Sequence, residues 1–182
     1  MKTSEKHMVY FISDLHLGHK SFRTLGSRNF KSIEEHDAHI VECINNTCRK
    51  SDSLFILGDI GLHQNKEQLS GIMSQMKPQL FIIKGNHDSD STLKYLVKKT
   101  IVQAYYENKI LTVDEHQFHL FHYPLRSWWG FHHNTIHLYG HSHGRTTDYR
   151  RSMDVGVDNI GFNPISYEQV IKRFEGVQNI IC

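Results

Sequence analysis

The chain has 182 residues, of which 38% are hydrophobic and 22% charged, and its net charge is +2. That length suits one domain with a real core, the charge is too small to argue for nucleic-acid binding by itself, and no apolar stretch approaches the ~20 residues of a membrane span. Histidine is the outlier, with 15 copies.

The polar start, Met1 to His7, lacks the apolar core of a signal peptide, so the cytoplasm is the expected compartment. Residues 8–13 read as the first strand, followed by a polar loop and a short helix over residues 21–25. Ser32 with Glu35 has the form of a capping box. The helix that follows carries Ile33, Ile40, Val41, Ile44 and Cys48 as a buried stripe. Residues 53–57 form the second strand. Asn65 and Gln68 open a second helix bearing Leu69, Ile72, Met73 and Met76, and Pro78 ends it before a third strand, Leu80 to Ile83. A third helix starts among Ser89, Asp90 and Ser91, with Leu93, Leu96 and Val97 on its inner face. This βαβαβα order predicts right-handed parallel crossovers.

From Ile101 the spacing changes. Residues 101–106, 109–114 and 117–122 read as three strands with short breaks, hence an antiparallel meander. A loop over residues 124–134 holds Arg126, Trp128, Trp129, His132 and His133. Residues 135–139 and 152–157 are further strands. Ser166 with Gln169 caps a last helix, and residues 177–181 close the chain. A parallel half followed by an antiparallel half suggests two sheets face to face, with helices outside. Cys43, Cys48 and Cys182 lack zinc-finger spacing and read as plain thiols of a reducing compartment.

Five apolar runs each end in residues able to ligate metal or move protons. They lead into Asp14-Leu15-His16, Gly58-Asp59, Gly85-Asn86-His87-Asp88, His122-Tyr123-Pro124 and Gly140-His141-Ser142-His143. If the strands share one layer, every cluster sits at a carboxyl end, where open α/β sheets place their sites. Mixed nitrogen and oxygen donors suit first-row transition ions rather than Mg²⁺ or Ca²⁺. Asp14 and His16 are two apart, so both can point one way, and His141 and His143 share that relation. About seven candidate ligands are too many for one closed tetrahedral site and suit two ions. Asp59 stands alone in its cluster and is free to bridge them.

In order and spacing these clusters resemble the five motif blocks of the calcineurin-like metallophosphoesterase superfamily, over residues 9 to 144. A closer likeness is to a group of small single-domain bacterial and phage phosphoesterases. It is carried by Ser13-Asp14-Leu15-His16-Leu17-Gly18-His19-Lys20 and by Asp154-Val155-Gly156-Val157-Asp158 with Pro164-Ile165-Ser166. The resemblance implies an α/β fold, a four-layer αββα sandwich of two mixed β-sheets flanked by helices, formed by residues 1–182 as a single domain. It also implies a metal-dependent phosphoesterase. Asp14, His16, Asp59 and His143 would hold one divalent transition ion, and Asp59, Asn86, His122 and His141 the other. Manganese is favoured, with iron, zinc and nickel as alternatives. Two such ions ~3.5–4 Å apart activate a bridging hydroxide for direct in-line attack on phosphorus. His87 would contact the phosphate or protonate the leaving oxygen, with Asp88 orienting it.

Three further residues are candidate substrate contacts. His19 departs from the minimal superfamily pattern, and a surface loop histidine is the competing assignment. Arg28 and Arg126 are loop cations that can meet phosphate bidentately; Arg23 and Arg145 lie comparably near the clusters. Trp128, Trp129 and Phe131 follow the fourth cluster and can stack a nucleobase. Alternatively, one indole packs in the core and the other covers a loop or an oligomer interface. With no inserted cap domain, a phosphodiester of a nucleotide or short nucleic acid is favoured. The alternatives are a phosphomonoesterase on a small substrate, a catalytically silent binding or scaffold module on the same fold, and histidine-mediated metal storage. No membrane partner is expected, and a homo-oligomer is compatible with the sequence.

Overall fold

The structure, a computed structural model, describes residues 6–26, 28–62 and 65–179. The expectations for the first five residues, for the last three and for Cys182 lie outside the described residues. Four parallel strands, β1 (Val9–Ile12), β2 (Ser53–Ile56), β3 (Gln79–Ile83) and β4 (Val102–Tyr106), stand in the order β4-β3-β2-β1. Helices α1 (Ile33–Thr47), α2 (Lys66–Met73) and α3 (Asp90–Lys98) make the crossovers. Their starts follow the local chemistry: Ser32, Asn65 and Ser89 each accept backbone N–H groups of the first turn.

Strand alternation builds two cores from this one sheet. Ile12, Leu54, Ile56, Leu80 and Ile82 pack with Ile40, Ile44, Leu69, Met73 and Leu93 of the helices. Phe11, Phe55, Leu57 and Ile83 join the opposite core, with Phe118, Leu120, Ile136 and Leu138 of a second sheet. Fully burying one such side chain contributes about 1.5–3 kcal/mol, which is why both faces must be covered. The second sheet holds β5 (Asn108–Val113), β6 (His116–Phe121), β7 (Ile136–Tyr139) and β8 (Ser152–Asp154), in that order. The fold is thus two mixed sheets flanked by helices, as the sequence predicted. No helix of the described residues is long and apolar enough to cross a membrane.

The meander predicted over residues 101–122 does not form. β4 follows α3 directly and pairs parallel to β3, so it completes a strand–helix–strand unit of the first sheet. The chain then crosses to the second sheet through Glu107. Only β5 and β6 form an antiparallel hairpin; β6, β7 and β8 run parallel to one another. The short break after Tyr106 resembles a hairpin turn, but α3 has already carried the chain back to the parallel start. Parallel pairing in the second sheet requires long connections, and these hold His122, His141 and His143.

Two smaller differences lie toward the end. The strand predicted over residues 152–157 stops at Asp154, and α4 (Val157–Ile160) begins where strand was expected. The two-residue β9 (Ile165–Ser166) pairs antiparallel with β1 and makes the first sheet mixed. α5 (Tyr167–Arg173) then starts from a complete Ser166–Gln169 capping box and sends Tyr167 and Val170 into the core between the sheets.

Candidate metal centre

All five clusters lie just past the carboxyl ends of their strands, after β1, β2, β3, β6 and β7. Two groups of donors result. Ligand atoms of Asp14, His16 and His143 lie within 4.8 Å of one another, and so do those of Asp59, His122 and His141. Asp59 belongs to both neighbourhoods. Its Oδ2 is 3.6 Å from His16 Nε2, and its Oδ1 is 3.6 Å from His122 Nε2. Asn86 Oδ1 completes the second group, 3.0 Å from His122 Nε2 and 2.9 Å from His141 Nδ1.

Five of these donors bend the backbone into the left-handed region: Asp14 (φ 59°), His16 (51°), Asp59 (54°), His141 (68°) and His143 (50°). Each such residue costs about 1–3 kcal/mol, so the surroundings must enforce it. The amides of Asp14 and His16 donate to the carbonyls of Gly58 and Asp59. The His141 amide donates to the Asp14 carboxylate at 3.0 Å. Gly85 and Gly140 let the loops close: a Cβ at Gly85 would overlap Asp59, and one at Gly140 would overlap Ser13 and Asp14.

The donor chemistry fits divalent transition ions. Both ring nitrogens of His16 are buried with no hydrogen-bond partner, and burial pushes its pKa down to about 2. A buried polar atom without a partner is costly and calls for an explanation. His122 Nδ1 faces the Leu57 carbonyl at 2.7 Å. A carbonyl only accepts, so Nδ1 carries the proton and Nε2 turns its lone pair toward Asn86 and Asp59. Burial lowers the His122 pKa, which keeps the ring neutral, and pushes the Asp14 carboxyl up. A cation reverses that balance for a carboxylate. Lone pairs facing lone pairs, with mixed nitrogen and oxygen donors, are what such an ion requires.

The residues predicted to act beside the metals divide. The His87 side chain is 45% exposed, its Nε2 is 4.0 Å from Asp59 Oδ2, and its ring lies 5.7 Å from that of His16. It stands at the open rim. Asp88 does not orient it: the Asp88 carboxylate accepts the amides of Gly85, Asp59 and Ile60 at 2.8–3.0 Å. Asp88 therefore ties two ligand loops together. Burial pushes its pKa up to about 6, against those amide bonds. His19 is half-buried, with its ring 5.4 Å from that of His16.

Arg28 is not the loop cation that the sequence suggested. It is 2% exposed, and its guanidinium is occupied by Asp158, by the carbonyls of Asp14 and Leu15, and by His36. No face of it is left for a substrate. Arg126 is exposed and stacks on Tyr149, 4.7 Å from the ring centre. Trp128 is buried, donates to the Thr135 carbonyl and packs on His137, so it belongs to the far face of the second sheet. Trp129 remains 53% exposed.

Two carboxylates in the tail were not predicted as site residues. Asp154 accepts from Ser142 Oγ and the Gly144 amide and braces the loop of His141 and His143. Asp158 accepts from His143 Nδ1 at 2.6 Å. Burial acts to raise the Asp158 pKa, but hydrogen bonds from Arg28 and His143 outweigh it and hold the carboxyl well below its usual range. In return Asp158 raises the His143 pKa. The signal for both was the stretch Asp154-Val155-Gly156-Val157-Asp158, which carries part of the closer family likeness.

A family profile described as calcineurin-like phosphoesterase matches residues 7–173. An uncharacterized protein of Methanocaldococcus jannaschii is 27% identical over 175 residues, covering 92% of this chain and 91% of that one. A protein of unknown function from Aquifex aeolicus shares the fold, with TM-score 0.73 at 22% identity, over 92% of this chain and all of the other. An archaeal phosphodiesterase superposes with TM-score 0.53 at 14% identity, over 82% of each chain, a likeness of fold alone.

Proposed function

The chain belongs to the calcineurin-like phosphoesterase family, and on that premise we propose a phosphodiesterase that works with two divalent transition ions on a nucleotide or nucleic-acid-like substrate. One ion is assigned to Asp14, His16, Asp59 and His143, the other to Asp59, Asn86, His122 and His141. The observation that carries this assignment is Asp59, which turns one carboxylate oxygen toward each histidine group. When bound, the ions supply Lewis acidity to the phosphoryl oxygens and activate water at neutral pH. Manganese is our first choice, then iron, zinc or nickel.

The chain's own residues do the rest. Asp59 holds the His87 amide at 3.0 Å and so fixes where that ring can stand. From the rim His87 contacts the phosphate or gives a proton to the leaving oxygen. Its backbone position leads directly into α3, whose first turn is capped by Ser89. His19, beside His16, and exposed Arg126 remain the substrate contacts of this reading. Exposed Asn86, His87 and His141 leave the site open, which favours an extended diester over a small enclosed monoester. We read the chain as one domain, and its free Cys43 and Cys48 suit the cytoplasm. A homo-oligomer is compatible with it.

The test is a metal count and a substrate screen on purified protein. About two ions per chain are expected, together with hydrolysis of bis-aryl phosphate, cyclic nucleotides, dinucleotides or short single strands after Mn²⁺ addition. A preference for an aryl monoester by more than ~10-fold, an order of magnitude in k, would move the assignment to a phosphomonoesterase. Metal-free protein without hydrolysis under several ions would leave a binding module.

A further inference from the structure

We infer that Arg28 and Asp158 form a buried positioning device for the Asp14–His16–His143 half of the site, an inference that rests on the two-ion reading above. The two side chains are 1% and 3% exposed and lie 130 residues apart in sequence. Arg28 Nε and Nη2 donate to the two Asp158 oxygens at 2.8 and 2.6 Å. The same Asp158 Oδ2 accepts from His143 Nδ1 at 2.6 Å. That leaves His143 Nε2 as the atom able to face Asp14 and His16. Arg28 also donates to the Asp14 carbonyl at 2.7 Å and to the Leu15 carbonyl at 3.1 Å. One guanidinium thus holds the loop of two ligands and, through Asp158, the ring of a third.

The proton assignment closes without conflict. Arginine only donates, so His36 Nε2, 3.2 Å from Arg28 Nη1, accepts. His36 Nδ1 then carries its proton to Asp37 at 2.9 Å. Asp37 in turn accepts the Gly18 amide at 2.9 Å, which anchors the far end of the His16 loop. The chain from Gly18 to His143 is therefore a single polar network beneath the left-handed backbone of Asp14 and His16. Lysine could not replace Arg28, because one ammonium cannot match a planar fork with donors in three directions.

Stability alone does not account for the device. A buried ion pair costs about as much desolvation as it returns, and apolar replacements are often neutral. What the pair does is orient: a carboxylate on the distal nitrogen of a ligating histidine fixes its tautomer and ring plane. The other half has no such carboxylate on His122, whose distal nitrogen meets the Leu57 carbonyl. The effect of breaking the device should therefore fall on one ion.

The experiment titrates metal-stripped protein with Mn²⁺, read by calorimetry and electron paramagnetic resonance. Wild type should take up two ions and show a spin-coupled signal. Asp158→Asn should keep one ion at wild-type affinity and bind the other ~10–100-fold more weakly, the usual loss for a removed outer partner. At stoichiometric loading its signal should be that of isolated Mn²⁺. Arg28→Lys should behave alike. If Asp158→Asn fails to fold by circular dichroism, the Arg28→Met, Asp158→Asn double variant removes both buried charges and is held to the same expectation. Folded variants that bind both ions as wild type does, or that weaken both ions equally, overturn the inference. Wild type that takes up no pair of ions overturns the two-ion reading and this inference with it.

Discussion

The two halves of the candidate centre are built differently. Asp14 and His16 are buried and His143 nearly so, above a network that reaches through Arg28 into α1. In the other half His122 is buried, but His141 and Asn86 are exposed, and the distal nitrogen of His122 meets a backbone carbonyl rather than a carboxylate. A buried, multiply bonded half is preorganised before any ion arrives. The other half opens to solvent at Asn86 and His141. Asp59 joins the two, and His87 overlooks them from the rim.

The largest effect should come from removing the difference altogether. Asp59→Asn takes the shared carboxylate from both halves, and turnover of a phosphoester should fall to background with metal content below two ions per chain. A variant with full metal content and activity would mean that the halves do not share Asp59.

Next is His87→Ala, which spares both halves and should slow turnover by ~10²–10⁴. Metal content should stay at the wild-type level. A p-nitrophenyl ester needs little protonation of its leaving group and should suffer less than an alkyl or ribosyl ester. Equal losses would make His87 a group that positions the phosphate, and lost metal would make it a ligand.

Ion exchange sharpens the comparison directly. Under a chelator, the ion of the exposed half should leave at least roughly tenfold faster than the other, on the scale that outer-shell support sets for affinity. Stopped-flow release with a metal indicator would then show two phases. In the folded Asp158→Asn protein the phases should converge, and a single phase in wild type would erase the distinction.

The smallest effect on turnover at neutral pH concerns His137, which packs against Trp128 on the outer face of the second sheet. Burial pushes its pKa down to about 4, although its ring nitrogens face the carbonyls of His119 and Tyr123. The unfolded chain protonates this histidine near pH 6.5 and the folded protein does not until about pH 4. The unfolded state therefore binds more protons in that window, so stability is full above it and is lost as pH falls through it. The loss amounts to about 3 kcal/mol at most. Melting curves from pH 7 to 4.5 should show this limb, and His137→Gln should flatten it. An unchanged limb would assign the acid sensitivity to other groups.

Much of the architecture was readable from local signals. The strand-end position of every cluster followed from apolar runs that stop at a Gly, a carboxylate or a histidine, and the helix starts followed from Ser32, Asn65 and Ser166. β4 was misassigned because a one-residue crossing between sheets and a hairpin look alike over five residues. Asp88 was misread because its neighbour His87 is adjacent in sequence, whereas its partners, the Asp59 and Ile60 amides, lie on another loop.

The chemistry of the site was set by residue type and spacing alone: which donors exist, that they are mixed nitrogen and oxygen, and that Asp59 stands apart from the rest. Periodicity and turn residues act over a few positions, so they are visible in any short window. Whether a given donor faces an ion, a substrate or the protein depends on what packs against it from elsewhere. Arg28 looked free because nothing near it in sequence is its partner, yet folding delivers Asp158 from 130 residues away and buries both. A buried guanidinium must be paired, and only tertiary packing decides by what.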